Sequence, residues 1–467
     1  MRTIFITISQ SSIIKNVLRS GGFELFTKEG YKLVIFIACK YLPDYLKEEF
    51  KRENVTLVQL SDRSDWGVTK VHKVLLHFFH YFIWSDSTVK YFRHSRHYVN
   101  KPQFVILLHV TILRLVSFVL GNVKPLRIFF RWVDFYFFPQ KSEKIAEYFR
   151  EFKPDILFST SISATMDSQF LKEAKRRGVT AVSMPKTWDT LTKKYLTVIP
   201  DYFLVQNSIL KEQAADLQDF PKGKIYLIGF PEFDWYVRKD ILRTREEHLG
   251  RLGLDSNLPV IFFGSQGSWY PKDYQVADMI YGWVKNDELV KKCQMIVRPH
   301  FLRFEGYENP FLKYRNLPCA AYDNTFFPSD AFHDLYDPTE ETMVEFVNTM
   351  YHSDIVVIVI STLALDAVCF DKPIINAFFG SLYRNGKDVT GEVKTTHYGW
   401  VLETNATSVT HNSDELKKAI NQYLENPATK AAERAVFRER LCYKVDGKSS
   451  ERMVEAIGDI LRKSAKT

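Results

Sequence analysis

The stretch from Ser353 to Ile375 constrains the fold of this chain more than any other. Ile355-Val356-Val357-Ile358-Val359-Ile360 is an unbroken apolar run, rich in β-branched residues and too short for a buried helix, so it reads as a strand. It stops at two hydroxyls, Ser361 and Thr362. A helix-like segment with Asp366 on its second turn follows, then the turn Asp371-Lys372-Pro373 and a second apolar run. Strand, helix and strand in this order form a parallel βαβ unit. The first N–H groups of such a helix lack intrahelical partners, and the helix dipole favours negative charge there, so the turn is a natural seat for a phosphate. Ser361 can cap the helix or bond an anion, and Asp366 lies about one turn further in, within reach of a ribose hydroxyl. The same pattern serves equally well in a βαβ unit that binds nothing.

The alternation recurs along the chain. Thr3–Ile8, Lys32–Ala38 and Val55–Leu60 read as strands, with a helix at Phe23–Glu29. After an interruption it resumes with a helix at Glu143–Phe152 and strands near 154–160, 179–184, 202–206 and 225–229. The helix near 163–178 is closed by Gly178. Trp235–Leu252 is charged and reads as helical. A second series of strands then begins near 258 and continues at 295–297, 320–322, 355–360 and 373–377, and helices at 413–425, 429–441 and 451–464 close the chain. The expected fold is α/β, with two Rossmann-like domains facing a cleft: residues 1–250, 251–440, and a C-terminal helix at 441–467 that returns to the first domain. Ligands of open α/β sheets bind outside the carboxyl ends of the strands.

The interruption has a composition of its own. From Asp65 to Lys141 there are eleven Lys and Arg against three acidic residues, a net +8 that accounts for the whole formal charge of the chain. Basic residues interleaved with aromatics and large aliphatics are the composition of a membrane-surface element. Its most apolar part, Phe104–Leu120, contains His109 and Arg114 and at about 17 residues sits at the lower limit for spanning a bilayer. A helical insertion lying on the membrane is therefore expected, and a helical sub-domain packed on itself has the same composition. No nucleic-acid motif appears. The five scattered cysteines include no CxxC pair, which argues for a reducing compartment and against a zinc site. The expected location is cytoplasmic, peripheral on the inner face of the plasma membrane.

Three strand ends of the second domain carry groups suited to an anionic ligand. Gly264-Ser265-Gln266-Gly267-Ser268 follows its opening strand, and glycine there lets the backbone approach a ligand closely. Arg298-Pro299-His300 ends another strand and offers a guanidinium and an imidazole. Ser361, Thr362 and Asp366 form the third turn. Each alone is also an ordinary turn or ion pair; together they define a nucleotide diphosphate site. No Asp-x-Asp pair occurs, so a metal-chelating acid pair in its usual form is absent, and no metal or other cofactor is expected. In the first domain, Trp188 can stack on a sugar, Asp189 can accept a proton from an attacking hydroxyl, and Lys193 can bind an anionic group. Trp188 is also suited to anchoring a hinge. Asp167 is the reserve candidate for the base.

These pieces resemble the nucleotide-sugar glycosyltransferases of GT-B architecture, above all bacterial surface-carbohydrate transferases. Those are related to the CDP-glycerol glycerophosphotransferases and to the non-hydrolysing UDP-N-acetylglucosamine epimerases. The resemblance rests on Trp188-Asp189-Thr190-Leu191-Thr192-Lys193, Gly229-Phe230-Pro231-Glu232-Phe233-Asp234, Phe263–Gly267, Arg298–His300, Ser361–Asp366 with Lys372-Pro373, and Asp446-Gly447-Lys448-Ser449. Thr190 stands where such proteins commonly have Asn, and Pro299-His300 reverses a common His-Pro. The resemblance implies that Gly264, Ser265, Gln266, Gly267, Ser361 and Thr362 hold the donor phosphates and that Asp366 holds the ribose. It also sets Arg298 and His300 against the diphosphate or the transferred group. The expected activity is transfer of a sugar from a nucleotide-sugar donor to a lipid-linked or surface glycan at the membrane. The alternative is a CDP-polyol phosphotransferase.

Overall fold

In the computed structural model, residues 1–60, 123–138, 142–193, 195–267, 272–300, 309–323, 328–379 and 396–464 are described without interruption, with isolated positions in the stretches between. The chain divides into two compact units. The first comprises Met1–Asp234, Pro328–Pro338 and Lys448–Thr467; the second comprises Trp235–Phe327 and Thr339–Gly447. The divisions thus fall at 234/235 and 447/448, against sequence-based expectations of 250/251 and 440/441, and the return of 328–338 to the first unit has no counterpart in those expectations.

The first unit holds a seven-stranded sheet built from β1 (Thr3–Ile8), β2 (Lys32–Ala38), β3 (Val55–Leu60), β4 (Ile156–Ser159), β5 (Thr180–Ser183), β6 (Tyr202–Val205) and β7 (Ile225–Leu227). The order is β3-β2-β1-β4-β5-β6-β7 and every pairing is parallel. Helices cover both faces of a parallel sheet, so its central strands are apolar throughout instead of alternating. All six residues of β1 are accordingly buried. The helix Thr165–Arg177 ends at Gly178, whose φ of +67° is the left-handed conformation that closes a helix. The C-terminal helix Ser449–Ser464 contributes Met453, Ile457 and Ile460 to the same core as β1 and β2. Its start is held by Asp234, which accepts from the N–H groups of Ser449 (3.0 Å) and Ser450 (2.7 Å).

The second unit holds a six-stranded sheet: β8 (Val260–Gly264), β9 (Gln294–Arg298), β10 (Ala320–Tyr322), β11 (Ile355–Ile358), β12 (Ile374–Ala377) and β15 (Thr407–Thr410). Its order is β10-β9-β8-β11-β12-β15, again parallel throughout. A short hairpin of β13 (Tyr383–Arg384) and β14 (Lys387–Asp388) stands apart from it.

Most predicted elements lie where the residue pattern puts them, with two exceptions in helix continuity. Trp235–Leu252 is not one helix. Two 3₁₀ turns, Pro231–Val237 and Lys239–Ile241, come first, and the α-helix spans only Arg245–Arg251. Thr244 sets that start by capping the Glu247 N–H at 3.2 Å. The segment at 429–441 is α-helical only over Ala431–Phe437 and continues as a π-helix, Arg438–Cys442. A second π-helix, Ile14–Arg19, follows β1.

Of the basic insertion, positions 61–122 lie for the most part outside the described residues, and so do Ser268 and most of Phe104–Leu120. Lys124–Phe137 is a helix with its amphipathicity inverted. Three of its four charged side chains point inward, and only Lys124 at its start is exposed. Arg127 pairs with Asp219 (2.5 Å), Arg131 donates to the carbonyls of Leu196 and Gln218 (2.8 Å each), and Asp134 is fully buried against Lys172 (2.7 Å) and His72 (2.6 Å). Ile128, Phe129, Trp132, Tyr136 and Phe137 are exposed instead. Among the described residues, no helix is long and apolar enough to cross a membrane.

Candidate functional site

Topology brings the three turns of the second unit together. From β8 the chain moves outward through β9 to β10, then returns to β11 on the other side of β8. The point where a parallel sheet reverses its winding leaves a crevice at the carboxyl edge, and ligands bind there. The turns after β8, β9 and β11 are therefore neighbours by construction. The Ser265 N–H donates to the Arg298 carbonyl (2.9 Å), which ties the first turn to the second. A Cβ at Gly264 would lie 2.4 Å from Leu363 Cδ1, and one at Gly267, whose φ is +63°, would lie 2.6 Å from His300 Cβ. Both glycines are thus required by close packing of the turns on each other, a reason distinct from approach to a ligand.

Asp273 organises the first turn. Its carboxylate accepts from the Gln266 N–H (2.6 Å) and the Ser265 hydroxyl (3.2 Å), and the Ser265 oxygen in turn accepts from the Gly267 N–H (3.0 Å). The amides of Ser265, Gln266 and Gly267 are thereby committed inside the protein, so the turn is a rigid shelf and not an amide cradle. What it offers a ligand is the Gln266 side chain, whose Oε1 is buried and makes no hydrogen bond among the described residues. A buried acceptor without a partner is costly, and a ligand donor would offset that cost.

Asp273 also predicts a pH dependence. Burial pushes its carboxyl up from 3.8 to about 7, against the opposing effect of its donors. Between those values the folded protein keeps the proton that the unfolded chain has released, so this contribution to stability falls as pH rises from about 4 to about 7. Asp273→Asn imitates the protonated form. Denaturant unfolding should show the wild type losing stability relative to that variant across this window, and parallel curves would refute the assignment.

The second turn is electrostatically different from its appearance in the sequence. Arg298 is buried, bonds Asp323 and Thr325, and lies 4.7 Å over the Phe346 ring. Its charge is therefore compensated by Asp323, a partner the sequence signals only as an acid following a short strand. Burial, assisted by the nearby Arg298 charge, pushes the His300 imidazole down to about 4. At neutral pH His300 is uncharged, able to donate or accept a hydrogen bond but not to serve as a cation.

The third turn holds Ser361 and Thr362 ahead of the helix Leu363–Cys369, with Ser361 Oγ accepting from the Leu363 N–H (3.3 Å). Behind it the buried Tyr398 hydroxyl bonds the Ser361 backbone and accepts from Asn376 (2.5 Å). Asp366 accepts from the Tyr236 hydroxyl (2.5 Å), so one of its oxygens is used within the protein.

In the first unit the expected residues follow β5. Trp188 is 3% exposed, a packing anchor with no open face on which a sugar could stack. Asp189 pairs with Lys193 (2.5 Å) and accepts from the Thr187 hydroxyl (2.5 Å). Asp167 is fully buried and joins β1 to β4 by accepting from Thr7 (2.6 Å) and Ser159 (2.7 Å).

Two parallel-stranded Rossmann-like sheets with these strand orders are the GT-B architecture. Solved structures share it across the chain. UDP-GlcNAc 2-epimerase from Neisseria meningitidis bound to UDP-GlcNAc is 11% identical with a TM-score of 0.56, and the likeness covers 98% of this chain and 100% of that one. A putative UDP-N-acetylglucosamine 2-epimerase from Listeria monocytogenes is 13% identical with a TM-score of 0.55, covering 99% and 97%. A glycosyltransferase from Rickettsia africae is 12% identical with a TM-score of 0.50, covering 100% and 99%. At these identities the likeness establishes the fold. Residues 323–459 match the family described as CDP-Glycerol:Poly(glycerophosphate) glycerophosphotransferase, which relates this GT-B chain to the CDP-glycerol transferases. No curated protein matches the chain in sequence.

Proposed function

We propose that the chain is a transferase of surface-polymer synthesis that moves a sugar from a nucleotide-sugar donor to a lipid-linked or surface glycan acceptor. The observation that carries this reading is the meeting of three turns at the winding reversal of the second sheet, with the Gln266 Oε1 acceptor buried there without a partner. The Ser361 and Thr362 hydroxyls and neutral His300 donate to the donor's diphosphate, the Gln266 Oε1 accepts from a hydroxyl or N–H group of the donor, and Asp366 binds its ribose. The scheme uses no metal: the Ser361 and Thr362 hydroxyls and the His300 ring are the groups set against the diphosphate. Asp189 takes the proton of the acceptor hydroxyl.

The test is a thermal-shift screen of UDP-, CDP-, CMP-, GDP- and dTDP-linked compounds. A ligand at 100 times its Kd should add about 2.7 kcal/mol of apparent stability. Absence of any shift across the panel would remove the donor site.

A second reading is favoured by the match of residues 323–459 to the glycerophosphotransferase family: transfer of a polyol phosphate from a CDP donor. The same turns would hold the diphosphate. Label in the donor's β-phosphate appears in the polymer under this reading and in the released nucleotide under sugar transfer.

The exposed aromatic face of Lys124–Phe137 supports peripheral docking at the cytoplasmic face of the membrane, where Trp and Tyr partition to the interface. Because Arg127 and Arg131 are pinned inward, the aromatics, with Ile128 and the exposed Lys124, carry the contact. Replacing Phe129, Trp132, Tyr136 and Phe137 with serine should abolish co-sedimentation with lipid vesicles and leave the fold intact. Unchanged sedimentation would count against docking by this face.

A further inference from the structure

The segments Gly229–Asp234 and Asp446–Ser449 supply no group to the donor or to the proton transfer described above. Their contacts fix a turn. Asp234 accepts from the N–H groups of Ser449 and Ser450. A Cβ at Gly447, whose φ is +71°, would lie 2.6 Å from Val237 Cγ2, so glycine is required there for the backbone to pass. Asp234 and Val237 both belong to the 3₁₀ turn Pro231–Val237, which is thereby held near its end. The residue presented at that end is Tyr236.

Tyr236 is 6% exposed. Its ring centroid lies 5.0 Å from that of Phe370, which directly follows the helix Leu363–Cys369, and 6.4 Å from that of Phe346 in the helix Glu340–His352. Phe346 in turn carries the Arg298 guanidinium 4.7 Å over its ring. One aromatic group thus backs both the second and the third turn of the sheet. For that packing, phenylalanine at 236 would serve as well. What tyrosine adds is its hydroxyl, which donates to Asp366 Oδ1 at 2.5 Å. A hydroxyl-to-carboxylate bond of this length is charge-assisted and among the strong ones. Asp366 sits in the first turn of its helix, where a carboxylate also suits the helix dipole, but the dipole does not set the orientation of the group. The Tyr236 bond does. A carboxylate has about four lone-pair sites, so one such bond fixes its plane without exhausting it.

We propose that Tyr236 is a positioning residue that makes the donor site selective for ribonucleotides, by holding the Asp366 carboxylate fixed against the ribose hydroxyls. The assignment rests on the reading of Asp366 as the ribose contact. A fixed carboxylate cannot turn away when a hydroxyl is missing. A 2′-deoxyribose therefore leaves it short of a donor in a partly buried place, and a site built to bond a hydroxyl discriminates against the analogue lacking it. Without the Tyr236 hydroxyl the carboxylate can rotate, and the penalty on the deoxy form falls.

The test is calorimetry on the full chain with UDP, CDP and their 2′-deoxy counterparts. Wild type should bind a ribo form about tenfold more tightly than its deoxy partner, or better, and Tyr236→Phe should bring that ratio below about threefold, chiefly by weakening the ribo form. A tyrosine with a merely structural role would weaken both forms alike and leave the ratio as in wild type. Should Tyr236→Phe fail to fold, Phe370→Leu takes its place: it loosens the ring, keeps the hydroxyl, and should lower the ratio too. Equal affinities for the two forms in wild type, or a ratio that the folded variant leaves unchanged, would overturn the assignment while the donor site stands. Failure of every nucleotide to bind would remove the donor site and the assignment with it.

Discussion

Asp189→Asn should lower transfer by about 10²- to 10⁴-fold, the contribution of a positioned general base, with nucleotide binding unchanged. Asparagine keeps the size of the side chain and its acceptor for the Thr187 hydroxyl, but it cannot take up a proton. The lost Lys193 pair contributes little to folding, because Lys193 is 46% exposed and exposed pairs of this kind are screened by water. An unchanged melting temperature with absent turnover is therefore the expected signature, and near-normal turnover would exclude Asp189 from the chemistry. Asp167 differs in kind. It is sealed between β1 and β4 by Thr7 and Ser159, and burial pushes its carboxyl up to about 6. Its replacement should be felt in stability before it is felt in turnover.

Arg19→Met should cost about 3–5 kcal/mol of stability, because it strands a buried carboxylate. The Arg19 side chain is 3% exposed and that of Asp337 is 0% exposed, with 2.6 Å between them. The same guanidinium grips Glu49 through two bonds of 2.7 Å and donates to the Pro338 carbonyl at 2.8 Å. Burial opposes its charge, yet the two carboxylates outweigh burial and hold its pKa above the ordinary value. Through this clamp, and through the Tyr45 hydroxyl on Asp337 (2.6 Å), residues 328–338 are fastened to the first unit. The thermal midpoint should fall by on the order of ten degrees. Arg150→Ala serves as the control. Arg150 pairs with Glu143 at the surface, 51% and 77% exposed, and should change nothing measurable. A shift for Arg19 no larger than that of the control would show that the strap is held by other contacts.

Residue pattern alone located β1, β2 and β3 and the helix Glu143–Phe152, because a strand buried on both faces must be apolar at every position and a surface helix must show a 3.6-residue period. It also placed Ser361 and Arg298 at strand ends, since a β-branched run that stops at hydroxyls or at a charge has left the core. Continuity was less legible. Trp235–Leu252 has helical composition, but the 3₁₀ turns ahead of Thr244 are settled by local bonding that composition does not record. Within the candidate site, the sequence shows which groups are present but not what each one faces. Gly267 looks like a ligand loop and is in fact the gap into which His300 fits; Trp188 looks like a platform and is buried.

The order of apolar runs, caps and turn residues determined the class of fold and the strand ends from which functional groups emerge, because those depend on local periodicity and on which side chains water will accept. Only the tertiary structure decided that Asp273, Ser265 Oγ and the Arg298 carbonyl consume the amides of the first turn and that Asp323 compensates Arg298. Those outcomes depend on partners such as Asp273, 7 residues from Gln266, and Asp323, 25 residues from Arg298, and on the low-dielectric interior that makes each pairing energetically decisive.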